Sequence, residues 1–158
     1  MKSKFSLLLS VILFLGVAIA DQYSKQYILH NAKQEYYVNT VLAFTPPAFN
    51  RGIAAGMLQS SGPMGFILLT IAIALIIIGF GAYTYNRWLS NCSIIGEALV
   101  LGGALSNLLD RFLYHGVVDF ILLHYARWSL PLFNIADAAI TLGVIIMFIT
   151  AFNFERRC

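Results

Sequence analysis

Charge is what this chain has least of. Only 11 % of its 158 residues are Asp, Glu, Lys or Arg, against about 25 % in an ordinary soluble domain. So few charges among so many apolar residues exclude a disordered chain and argue against a soluble enzyme. Cysteine is scarce as well. Cys92 and Cys158 are the only two, far apart and without metal-type spacing, so neither a structural disulfide nor a zinc site is expected. His30, His115 and His124 lack ligand spacing such as H-E-x-x-H, and no metal or other cofactor is expected. The formal net charge is +3. No Lys/Arg cluster interleaved with aromatics suggests a nucleic-acid face.

What is abundant is apolar surface, at 59 % of residues, more than one core of a chain this short can bury. A bilayer supplies the missing apolar solvent. The expectation is a single all-α membrane domain, 1–158, of four transmembrane helices with a small extracytoplasmic β-rich segment. The spans are read at approximately 5–24, 63–86, 92–112 and 132–154, with outer segments 25–62 and 113–131. Each span must be helical, because lipid offers no partner to a free backbone amide. The first has a rival reading. Lys2 and Lys4, an apolar run and Ala18-Ile19-Ala20 look like a secretory signal with a cleavage site. The run and its continuation to Tyr27 are long enough to anchor, and a retained anchor is the expectation.

Lys and Arg set the orientation. Five fall on each side, Lys2, Lys4, Arg87, Arg156 and Arg157 against Lys25, Lys33, Arg51, Arg111 and Arg127, but the first set lies in short segments tight against the spans, where the positive-inside rule counts most. Both termini are therefore expected in the cytoplasm. In the outer segments, Tyr36–Phe44 is rich in β-formers and reads as a short strand or hairpin that Pro46-Pro47 ends. Tyr114, Tyr125 and Trp128 suit the headgroup layer.

The four aspartates, Asp21, Asp110, Asp119 and Asp137, all fall at or near the outward ends of spans. Such residues in a membrane are costly and are functional candidates. Helical spacing puts Gly103, Asn107 and Asp110 on one stripe, and Asn134 and Asp137 on one face. Gly116 can turn the chain into Val117-Val118-Asp119-Phe120, whose apolar residues would press Asp119 into a low-dielectric setting. Two carboxylates brought together there could not both ionise easily. One keeps its proton while the other stays charged, which is the chemistry that hydrolyses an amide with water. Plainer readings stand beside this one. Asp110 next to Arg111 ties helix to loop, Asn107 and Asn134 bridge helices, Asp119 is a solvated loop residue, and Asp137 is a packing or proton-relay group. Glu97 lies toward the inner end, reaching headgroups or a neighbouring helix.

Five stretches occur in order along the chain: Asp21-Gln22-Tyr23-Ser24-Lys25, Asn50-Arg51-Gly52-Ile53-Ala54-Ala55-Gly56, Gly102 to Arg111, Gly116 to Ile121, and Phe133 to Ile140. Together they make the chain resemble the bacterial lipoprotein signal peptidase family (signal peptidase II, prolipoprotein signal peptidase). The resemblance implies an intramembrane aspartyl endopeptidase of the bacterial inner membrane, with its active site toward the outer face. It would remove the signal peptide from diacylglyceryl-modified prolipoproteins by cleaving before the lipidated cysteine. It maps the catalytic dyad onto Asp119 and Asp137, and supporting positions onto Asp21, Lys25, Asn50, Gly52, Asn107, Arg111 and Asn134. Asp110 joins them through its place beside Arg111. The implied partners are lipidated prolipoproteins and membrane lipids, and a monomer suffices. Ala55 stands where the family has a bulky aromatic and Ser106 where it has glycine, both read as affecting the shape of the substrate pocket. The alternative from another class is a small proton-coupled carrier. It would place its key carboxylate near mid-bilayer, and no inverted repeat is evident here.

Overall fold

The computed structural model describes residues 4–52 and 62–152. Among the described residues, four helices, α1 (Lys4–Asn31), α2 (Pro63–Leu89), α3 (Ile95–Tyr114) and α4 (Ile135–Phe152), and four strands, β1 (Tyr36–Tyr37), β2 (Leu42–Asn50), β3 (Val117–Tyr125) and β4 (Trp128–Ser129), follow in the order α1-β1-β2-α2-α3-β3-β4-α4. Among the described residues, three helices are long and apolar enough to cross a membrane: Ser6–Asn31, Pro63–Leu89 and Ile135–Phe152. They turn large apolar side chains outward, Ile12, Ile76 and Phe148 among them, which water would penalise and lipid does not. Pro63 opens α2, where its missing N–H would have had no helical partner in any case.

The α3 helix differs in kind. It buries Glu97, Asp110 and Arg111 and lies between α1 and α4. Glycines let it come that close. A Cβ on Gly102 would stand 2.7 Å from the Phe14 carbonyl oxygen of α1, and one on Gly103 would stand 2.5 Å from the Ala136 carbonyl oxygen of α4. Those distances leave no room for any side chain, so the glycines set the spacing of the three-helix core. At the far end of α3, Glu97 Oε1 pairs with Arg87 Nε of α2 at 2.7 Å, the neighbouring-helix option for that residue.

The strands form one antiparallel sheet in the order β1-β2-β3-β4. Two expectations are corrected here. The prolines do not end the second strand. β2 runs through them to Asn50, and the register against β3 shifts between Phe44 and Ala48. A bulge absorbs residues that cannot donate to the ladder. The stretch around Asp119 is also no loop but the nine-residue strand β3. Its first four residues are all buried, Asp119 among them, so it lacks the alternation that marks a half-exposed strand. The turn into it is made by His115, in the left-handed region at φ 55, and not by Gly116. Instead, a Cβ on Gly116 would stand 3.3 Å from Phe49 Cβ of β2.

Cys92 is disulfide-bonded, which corrects the expectation of none. Cys158 lies outside the described residues. Ala55 lies outside the described residues, as do Lys2, Arg156 and Arg157.

Candidate active site

The sheet and the helix ends meet through the short segment before α4. Phe133 pairs with Ile121 of β3, its N–H donating to the Ile121 carbonyl at 3.1 Å and its own carbonyl accepting from Ile121 N–H at 2.8 Å. That pairing carries Asn134, the next residue, alongside Asp119. Asn134 then caps α4. Its Oδ1 accepts from Asp137 N–H at 2.9 Å, and Asp137 Oδ2 accepts from Asn134 N–H at 3.3 Å. This is a reciprocal capping box with Asp in the third position, and it fixes the Asp137 carboxylate in the first helical turn.

The two aspartates are joined through amides. Asn134 Nδ2 donates to Asp119 Oδ1 at 2.7 Å and to Asn107 Oδ1 at 3.1 Å. Asn107 Nδ2 donates to Asp137 Oδ1 at 2.8 Å. Asn50, at the end of β2, donates to Asp119 Oδ2 at 3.1 Å and holds the Gly52 N–H on its own Oδ1 at 2.9 Å. Asp119 and Asp137 both line one cavity of about 730 Å³. Asn50, Asn107 and Arg111 supply polar groups, while Leu132, Ile140 and Ile145 make its walls apolar. Asp119 is 3 % exposed. Burial, then the nearby Asp137 charge, pushes its carboxyl up to about 7, against the pull of Asn50, Asn134 and Lys25 toward the ionised form.

Behind the cavity lies a buried ion cluster. Lys25 Nζ, fully enclosed, reaches Asp21 Oδ2 at 2.5 Å, Asp110 Oδ2 at 2.6 Å and Asn107 Oδ1 at 2.8 Å. Asp21 Oδ1 accepts from Ala136 N–H at 2.9 Å, and Asp110 Oδ2 from Val118 N–H at 3.1 Å. Each carboxylate thus grips the residue immediately before one of the paired aspartates. All four aspartates belong to one network.

Asp110 ties α3 to the strand after it, as its plainer reading has it, but through the Val118 N–H and not through a bond to Arg111. Lys25 neutralises Asp110, and Arg111 donates to the Gly52 carbonyl oxygen. Ser106 is likewise no part of the cavity wall. Its hydroxyl donates to Asp21 Oδ2 at 2.7 Å, so the departure from glycine serves the ion cluster and not the pocket. Gln22 was not anticipated. It donates to Asp110 Oδ1 at 2.7 Å and to the Ser106 hydroxyl at 3.0 Å. Its place beside Asp21 on a helix was the available signal. Among the described residues, no three or more His, Cys, Asp or Glu side chains are grouped to hold a metal ion.

Comparison with known proteins bears on this arrangement. A family model described as signal peptidase (SPase) II matches residues 13–153. The lipoprotein signal peptidase of Dichelobacter nodosus is 40 % identical over 154 residues, covering 95 % of this chain and 94 % of that protein. That of Geobacillus kaustophilus is 35 % identical over 142 residues, covering 88 % and 90 %. A bacterial membrane enzyme solved by the in meso method at 1.9 Å superposes with a TM-score of 0.71 at 32 % identity, over 90 % of this chain and 91 % of that one. Another, at 2.3 Å, gives 0.69 at 32 % identity, over 93 % and 89 %.

Proposed function

The chain belongs to the signal peptidase II family, and on that premise we propose how it removes signal peptides from prolipoproteins in a bacterial membrane. Asp119 and Asp137 are the catalytic pair of an intramembrane aspartyl endopeptidase that cleaves before the diacylglyceryl-modified cysteine. The observation that carries this reading is the bridge made by Asn134, which bonds to both aspartates while both face one apolar-walled cavity.

The chemistry follows from one proton shared by two carboxyls. The ionised member takes a proton from a water held between them, and the resulting hydroxide attacks the scissile carbonyl carbon. The protonated member donates to the carbonyl oxygen as negative charge grows there. As the tetrahedral intermediate collapses, one of its hydroxyls returns a proton to the pair and the C=O re-forms, the C–N bond breaks, and the amine of the lipidated cysteine leaves with the proton the pair took from water. The pair ends with one proton, as it began. Burial favours this state, since two charges side by side in a cavity of low dielectric are costly. Asn107, Asn134 and Asn50 orient the carboxyls. Arg111 and Gly52 border the same cavity, and Asp21, Lys25 and Asp110 hold α1, α3 and the first turn of α4 in register.

We further read α3 as a fourth span, about 30 Å long at 1.5 Å per residue. Its charges lie toward its ends, satisfied by Arg87 at one and by Lys25 at the other. The chain is then one membrane domain with both termini in the cytoplasm and the pair near the outer surface. There a lipid-anchored cysteine presents its peptide bond, and the sheet cradles the extended peptide. A monomer suffices. The carrier alternative has no observation in its favour. The test is mass spectrometry of a lipidated prolipoprotein peptide incubated with the enzyme in nanodiscs. Asp119→Asn and Asp137→Asn should each abolish the product beginning at the lipidated cysteine while the protein stays folded. Retained cleavage by either variant removes the assignment.

A further inference from the structure

A second cavity, of about 840 Å³, lies on the other side of Arg111, between α2 and the outer end of α3. It shares Arg111 with the cleavage cavity and is otherwise lined by different residues. Its polar end carries two guanidiniums on one aromatic ring. Arg51 Cζ stands 5.2 Å and Arg111 Cζ 5.7 Å from the centroid of Phe66. Among the described residues no carboxylate lines the cavity, although Asp119 and Asp110 are near enough to act electrostatically on Arg111. Arg111 is 4 % exposed, and its Nη1 is buried with no hydrogen-bond partner among the described residues. A buried donor left unpaired is costly, and two like charges gathered on one ring are too. An anion relieves both. Below the arginines the wall is apolar, with Ile67, Ile71 and Leu75 one turn apart along α2.

A cationic end at the level of the helix termini above an apolar trough running down a membrane helix fits one chemistry. We propose that this groove binds an anionic phospholipid, its phosphate on Arg51 and Arg111 and an acyl chain along Ile67, Ile71 and Leu75. A neutral diacylglyceryl chain, such as the substrate's, would have no use for the two guanidiniums. Charge-assisted bidentate contact is what arginine offers a phosphate.

Native mass spectrometry of the full chain released from nanodiscs of equal phosphatidylglycerol and phosphatidylcholine tests this without substrate. The wild type should retain phosphatidylglycerol over phosphatidylcholine by about tenfold, the lower end of what one charge-assisted bond supplies. Arg51→Gln should bring the ratio near unity, and Ile71→Trp, which fills the trough from the lipid-facing side of α2, should lower retention of both lipids. Equal retention by the wild type would overturn the proposal. So would a ratio unmoved by Arg51→Gln, displacement by diacylglycerol as effective as by phosphatidylglycerol, or displacement by inorganic phosphate alone.

Discussion

Replacing Asn134 with alanine should move the alkaline limb of the kcat/KM profile upward. Asn134 is fully buried, and its 2.7 Å bond to Asp119 favours the ionised carboxylate. A hydrogen bond to a charged group is worth about 1.5–3 kcal/mol. Each pH unit corresponds to about 1.36 kcal/mol, so one lost bond raises the Asp119 value by at least about one unit. The sign follows from which form acts. The shared proton is needed for catalysis, and it is lost as pH rises through the Asp119 value of about 7. Removing a partner of the ionised form postpones that loss, so the limb moves from near pH 7 toward about pH 8. At the optimum kcat should fall about a hundredfold, because Asn134 also caps α4 and aims Asp137. Mass spectrometric rates on a lipidated peptide between about pH 5 and pH 9 give both quantities. A limb that stays in place, or moves down, would refute the reasoning whatever happens to kcat.

Other substitutions probe the scaffold. Lys25→Met leaves Asp21 and Asp110 buried without their shared cation. Thermal unfolding in detergent should show a loss of about 3–5 kcal/mol, partly recovered when Asp110→Asn is added. Gly103→Ala puts a methyl group 2.5 Å from the Ala136 carbonyl oxygen and should cost about 1–3 kcal/mol by overpacking, lowering kcat because Ala136 precedes Asp137. The same change at Gly79, whose Cβ would meet open space, should leave both Tm and kcat unchanged.

The sequence is most legible where one physical signal dominates. The uncharged stretch from Pro63 to Asn86 can only be a helix in lipid, and α2 is one. The aspartates were legible as a set because an acidic side chain near hydrocarbon needs a reason. Legibility ends where the partner is distant. Asp21 and Lys25 are one helical turn apart and their pairing is readable. That Lys25 also binds Asp110 depends on how closely α1 and α3 approach. Without that distance the sequence shows only that Asp110 stands beside Arg111. β3 was missed because a strand buried along much of its length shows no alternation. The passage of β2 through Pro46-Pro47 was missed because a bulge leaves no mark in composition. α1 runs to Asn31, past the expected end near residue 24, since buried Asp21 and Lys25 satisfy each other inside the helix instead of closing it.

Whether Asp119 and Asp137 share one proton in one cavity is read out by difference infrared spectroscopy of the substrate-free enzyme. A protonated carboxyl carbonyl band should titrate away with a midpoint near pH 7, be missing in Asp119→Asn, and shift to a lower midpoint in Asp137→Asn, where the neighbouring charge is gone. A band that titrates with the exposed carboxylates, or a midpoint indifferent to Asp137, would contradict it.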